Sequence, residues 1–212
     1  MKIRNLLVMA AFLMLFSCAE KRTNPLIQNL DKSWIVTTDT LNIKMEVDVP
    51  SVIQADMYEN GLIPHPYKSN IESQLHWIPQ HEWEYSLDFK AEDYILREDV
   101  IELVFEGLDT YADVWMNGKK ILHADNMFRT YSYDVKDIIK ETNNIKIKFY
   151  PFDKERDSLI ETYPLRFPEK YAVMRKAAYQ NGWDWAPRYM NMGIWQPVYL
   201  KAWTRSTICS AS

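Results

Sequence analysis

The segment Asn181-Gly182-Trp183-Asp184-Trp185-Ala186-Pro187-Arg188 sets two indoles either side of one carboxylate, beside a Gly and a Pro that suit a fixed loop. An indole face packs on the apolar C–H face of a pyranose, and a carboxylate accepts hydrogen bonds from two neighbouring hydroxyls. Trp183 and Asp184 are therefore candidate sugar-binding residues. The same residues admit a structural reading, in which Trp183 and Trp185 close over a core while Asp184 pairs with Arg175 or Arg188. Residue chemistry alone leaves both readings open.

Other chemistries find less support. The four His, at 65, 76, 81 and 123, are scattered, and His76 and His81 lie in a Pro-containing segment at a spacing no helical ligand pair uses, so no metal site is expected. With only 5 Gly there is no phosphate-cradling loop, and no G-x-S-x-G elbow is present. Carboxylates are plentiful, but none stands in a recognisable acid–base setting, so no catalytic residue and no cofactor are assigned. A net charge of −4 supplies no basic excess for neutralising phosphates, which argues against a nucleic-acid partner.

The elements that must position Trp183 and Asp184 are mostly strands. Leu41, Ile43, Met45 and Val47 alternate with polar residues, as do Tyr85, Leu87 and Phe89, a period of two. Residues 100–105 read as a buried strand. Residues 112–116 and 119–123 flank Asn117-Gly118, whose tolerance of positive φ marks a tight hairpin. Residues 131–135, 145–149 and 195–203 complete about eight strands. Short helices are expected from Ser51, acting as a cap, to Tyr58 and around residues 71–75. Residues 151–192, rich in Pro and charge, form a long excursion that is partly helical near 171–179 and carries the Trp-Asp-Trp segment; loops of this length are usually functional. The pattern predicts an all-β jelly-roll sandwich, with an immunoglobulin-like sandwich second because the Cys–Trp–Cys spacing is absent. Eight Trp and 13 Tyr in a chain of 212 residues fit either sugar stacking or a core of large rings.

The start of the chain reads as an export signal. Lys2 and Arg4 precede an apolar run from Leu6 to Phe16, and its 16 − 6 + 1 = 11 residues fall short of the roughly 20 that cross a bilayer. Leu15-Phe16-Ser17-Cys18 resembles a bacterial lipobox, which makes Cys18 the candidate lipidation site; a plain signal peptide cut nearby is the alternative. The only other Cys is Cys209, so a lipidated Cys18 leaves no disulfide within the chain. The expected organisation is a lipoprotein signal at 1–17, a tether at 18–30, the sandwich at 31–203 and an unstructured tail at 204–212. The expected location is the bacterial membrane surface, periplasmic or external.

Several runs together resemble the N-terminal, galactose-binding-like jelly-roll domain of glycoside hydrolase family 2 β-mannosidases. They are Pro50-Ser51-Val52, Gly61-Leu62-Ile63-Pro64-His65-Pro66, Trp83-Glu84-Tyr85, Phe105-Glu106-Gly107-Leu108-Asp109-Thr110-Tyr111-Ala112, Asn117-Gly118, Asn126-Met127-Phe128, Arg175-Lys176-Ala177, Gly182-Trp183-Asp184-Trp185 and Gly193-Ile194-Trp195, spread over roughly residues 31–203 in the family order. Asn181 and Ala186 stand where the family more often has an aromatic residue and Gly, and Gln196 where it has Arg.

The resemblance implies a retaining exo-glycosidase acting on terminal β-mannose, with both catalytic Glu in a TIM barrel that this chain does not contain. It implies that Trp183 walls the terminal sugar and Asp184 binds its hydroxyls. The implied partners are a β-mannoside and the immunoglobulin-like and barrel domains against which the jelly roll packs. Residues 204–212 do not match the family's continuation, which fits a truncation or frameshift and a fragment without activity of its own. The alternatives are a stand-alone cell-surface carbohydrate-binding module and a fragment of another family 2 enzyme, a β-galactosidase or β-glucuronidase.

Overall fold

The computed structural model describes residues 25–38, 40–68, 70–162 and 169–204. The expected leader, Cys18 and all of the expected tail except Thr204 lie outside the described residues.

Among the described residues, ten strands form two antiparallel sheets. The first has the order β1 (Leu26–Asn29), β10 (Val198–Trp203), β5 (Val100–Phe105) and β8 (Tyr131–Asp134). The second has the order β3 (Ile43–Val47), β2 (Trp34–Thr38), β4 (Trp83–Lys90), β9 (Thr142–Phe149), β6 (Ala112–Met116) and β7 (Lys119–Ala124). This is the expected β-sandwich. Alternation drives it: Trp83, Tyr85 and Leu87 on β4 face Phe149, Ile147 and Ile145 on β9, and all six are buried. Polar residues between them turn outward, where Lys146 pairs with Glu84 at 2.8 Å.

The core closes over Trp34 and Trp83, which are fully buried with their indole N–H groups satisfied by Leu30 O at 2.7 Å and Ile78 O at 2.9 Å. Tyr85 meets Trp34 and Phe149 edge to face, with ring centroids 6.5 and 5.4 Å away. The Trp residues thus divide between core and surface, since Trp183 and Trp185 are exposed. The β6–β7 hairpin turns at Asn117 and Gly118 with φ of +51° and +81°, the positive pair its sequence requires.

Three details differ from expectation. β1 lies inside the stretch expected as tether, with Leu26 opposite Ala202 and Asn29 opposite Tyr199. The helix Ile53–Glu59 forms as expected, but Ser51 is not its cap; its hydroxyl bonds the Asp56 side chain instead. In the long excursion the regular helix is Phe152–Thr162, followed by 3-10 turns at Lys170–Val173 and Ala178–Asn181. That helix buries little besides Phe152, which joins Tyr111, Met174 and Met190 in a small second core.

Candidate functional site

Trp183 and Ala186 bond each other reciprocally: Trp183 N–H donates to Ala186 O at 3.1 Å and Ala186 N–H to Trp183 O at 3.2 Å. Asp184 and Trp185 are therefore the two residues at the tip of a tight turn. Gly182 delivers the chain into the turn with φ of +86°, and a side chain there would press on Arg188 Cβ at 3.2 Å. The turn throws its side chains outward. Trp183 is 61% exposed and Trp185 83%, their rings edge to face at 6.1 Å.

These exposures overturn the structural reading of the two indoles, because neither closes the sandwich. Asp184 is also exposed, and among the described residues it forms no ion pair with Arg175 or Arg188. Trp183 and Asp184 line an open cleft of about 830 Å³ together with Tyr67, Glu72 and Tyr171.

The turn projects, yet its supports are fastened closely. On the limb leading away from it, Arg188 N–H donates to Glu72 Oε1 at 2.8 Å, and the Tyr189 hydroxyl donates to Pro66 O. Gln54 Nε2 donates to Met190 O at 2.8 Å, and Asn191 N–H to Gln180 Oε1 at 2.9 Å. Ile53 N–H and Ser51 N–H then donate to Met192 O and Ile194 O, both at 2.9 Å, while Gly193 exchanges two backbone bonds with Asp109. On the limb leading in, Met127 N–H donates to Arg175 O at 3.0 Å.

Both limbs converge on one buried ion pair. Lys176 Nζ donates to Asp109 Oδ1 and, at 2.6 Å, to Asn191 O; Gln180 Nε2 donates to Asp109 Oδ2 at 3.0 Å. Burial pulls the Lys176 pKa below the usual lysine value, against the opposing pull of the Asp109 charge. A second buried acid lies behind the limb: Asp56, reached by the Ser51 and Tyr85 hydroxyls, has its pKa pushed up to about 6 by burial, the two hydrogen bonds opposing the rise. Sequence reasoning singled out Trp183 and Asp184 by residue type. It did not find Asp109, Gln180, or the pairing of Lys176, although Asp109 and Lys176 stand inside two of the runs that carry the resemblance. Among the described residues no group of three or more His, Cys, Asp or Glu is placed to hold a metal ion.

Comparison with known proteins gives a consistent family. A family model described as glycosyl hydrolase 2 galactose-binding domain-like matches residues 29–196. The β-mannosidase of Mus musculus is 29% identical over 187 residues, covering 82% of this chain and 21% of that protein. β-Mannosidase A of Emericella nidulans is 31% identical over 182 residues, covering 80% of this chain and 19% of that protein. The crystal structure of a β-D-mannosidase from Dictyoglomus thermophilum superposes with a TM-score of 0.79 at 34% identity, covering 84% of this chain and 23% of that one. The chain thus spans about a fifth of the length of the curated relatives it matches.

Proposed function

The chain belongs to glycosyl hydrolase family 2 through its galactose-binding-like domain, and we propose that it is the sugar-facing N-terminal domain of a retaining β-mannosidase that removes terminal β-D-mannose from mannosides. The observation that carries this reading is the exposed Trp183 indole and Asp184 carboxylate, held on a two-residue turn whose stems are bonded to the sandwich. Trp183 offers a flat apolar face to the C–H side of the terminal mannose. Asp184 accepts hydrogen bonds from two of its hydroxyls, and these contacts contribute to rate to the extent that they tighten in the transition state.

Bond cleavage is assigned to the barrel of the whole protein, where a retaining pair of carboxylates about 5–5.5 Å apart acts as acid/base and nucleophile. On this reading the chain alone turns over no aryl β-mannoside. The leader and Cys18 add that the enzyme is exported and lipid-tethered at the bacterial membrane surface. An unmodified Cys18 in a mass spectrum of the processed protein would remove that part.

The test is kinetic. In the complete enzyme, Asp184→Ala should lower kcat/KM for an aryl β-mannoside about 100-fold, or about 2.7 kcal/mol. An unchanged kcat/KM removes Asp184 from the site. Faster turnover of the aryl β-galactoside or β-glucuronide replaces mannose as the substrate. The exposed aromatic tip also favours a second reading, a stand-alone carbohydrate-binding module, which requires millimolar or tighter binding of mannosides by the chain itself.

A further inference from the structure

We propose that the outward face of the six-stranded sheet around Trp115 is a separate carbohydrate-binding surface, which holds an internal unit of a neutral polysaccharide chain. Its seat is a hollow of about 360 Å³ lined by Trp115, Gly118, Glu84, Asn144, Lys146 and Lys148. That volume lies within the range of small-ligand sites, about 300–1,000 Å³. The hollow shares no lining residue with the cleft at the Trp183–Asp184 turn, so the inference does not depend on the reading of that turn.

The strand pattern places Trp115 outside the core. On β6 the alternate residues Ala112, Val114 and Met116 are fully buried, which turns Trp115 outward, where it is only partly buried. Across the sheet it stands opposite Lys146 on β9 and Lys120 on β7, with no apolar partner in either strand. The register of β6 and β7 shifts between Val114 and Trp115, an irregularity of the kind that re-aims a side chain. Lys120 Nζ lies 5.9 Å from the ring centroid, is held by Asp113 at 2.7 Å, and steadies the indole. The rest of the hollow is equally set. Asn117 Oδ1 accepts from Asn144 N–H at 3.0 Å and Asn117 Nδ2 donates to Ile138 O at 2.8 Å, which ties the hairpin to β9. Gly118 lines the hollow without filling it, and a Cβ there would meet nothing within 4 Å.

The charges select the ligand class. Lys146 pairs with Glu84 at 2.8 Å and Lys148 with Glu82 at 2.7 Å, while Asn144 Nδ2 donates to Asp88 Oδ1 at 2.7 Å. Each charged group that lines the hollow thus has an opposite charge against it, and none calls for an ionic ligand. An apolar protein surface laid over these pairs would strip them of water at a cost. Sugar hydroxyls donate to the carboxylates and accept from the ammonium groups, while the apolar C–H face of a pyranose packs on the indole.

The experiment titrates the chain with β-1,4-mannohexaose, following indole N–H shifts by NMR, with Trp183→Ala as the background that removes the indole of the turn. The hexaose is expected to bind Trp183→Ala still, and adding Trp115→Ala should weaken it about tenfold or more. Lys146→Ala, at an exposed position, should weaken it in the same background with the indole left in place, and carries the test where Trp115→Ala does not fold. Binding lost with Trp183→Ala alone overturns the surface site and leaves the terminal-sugar reading standing. Binding to Trp183→Ala that ignores both Trp115→Ala and Lys146→Ala overturns the surface site as well. Tighter binding of an oligogalacturonate through Trp115 overturns the neutral class of ligand.

Discussion

Lys176 and Asp109, 67 positions apart in the sequence, form an ion pair in which each side chain is 1% exposed. Around it meet the limb that leads into the Trp-Asp-Trp turn, through Gln180, and the limb that leads out, through Asn191. Removing water from both charges is costly, and further hydrogen bonds offset it: Lys176 Nζ also donates to Asn191 O, and Asp109 also accepts from Thr110 Oγ1 and Gln180 Nε2. Trp183 and Asp184 thus take their position from a charge pair they never touch.

Removing one member should be severe. Lys176→Ala leaves Asp109 buried and uncompensated, and urea denaturation should show a loss of about 3–5 kcal/mol. Lys176→Met combined with Asp109→Leu should recover much of that loss. A loss under about 1 kcal/mol for Lys176→Ala would mean that the charge pair is not what holds the loop.

Asp184→Ala should behave in the opposite way. Its side chain is exposed and outside any ion pair among the described residues, so stability should stay within about 0.5 kcal/mol of the parent. Thermal unfolding of this variant, paired with the kinetic test, separates a binding role from a structural one.

Asp56 makes a pH-dependent contribution of defined sign. Its folded pKa of about 6 lies above the roughly 3.9 of an unfolded Asp. As pH rises from about 4 to 6 the unfolded chain releases this proton first, so the Asp56 contribution lowers stability across that window, by on the order of 3 kcal/mol in total. Asp56→Asn cannot ionise. Its stability relative to the parent should therefore increase between pH 4 and pH 6 and level off above, as measured by urea denaturation at each pH. A flat difference would mean that Asp56 titrates normally.

Two glycines with positive φ should respond unequally to alanine. At Gly193, with φ of +146°, the new Cβ would lie 2.8 Å from Ser51 O and 2.9 Å from the Tyr85 hydroxyl. At Gly118, with φ of +81°, it would meet open space. Gly118→Ala should cost only the backbone strain, about 1–2 kcal/mol. Gly193→Ala should cost more, about 3 kcal/mol, because a backbone carbonyl must also shift. Denaturation midpoints of the two variants check the order.

Local chemistry was legible in the sequence and distant pairing was not. Asn117-Gly118 announced its hairpin because the turn needs nothing beyond its own φ angles, and β4 and β9 announced themselves by alternation. β1 did not: its four residues become a strand only through β10, at the other end of the chain. The helix Phe152–Thr162 was hidden because its charges are met locally, Arg156 by Asp153 and Asp157, leaving no apolar stripe to read. Trp183 and Asp184 stood out by residue type. The rings beside them did not, since Tyr189 reaches Pro66 across 123 positions and no periodicity foretells such a contact.

From Arg188 to Ile194, each residue bonds a different part of the chain, among them Glu72, Pro66, Gln54, Gln180, Ile53, Asp109 and Ser51. Such a limb has a fixed count. One residue inserted or deleted there would put every later partner out of step. Exchange of side chains at the tip disturbs none of these bonds. Variation is therefore open to substitution at Trp183, Asp184 and Trp185 and closed to changes of loop length on the outgoing side.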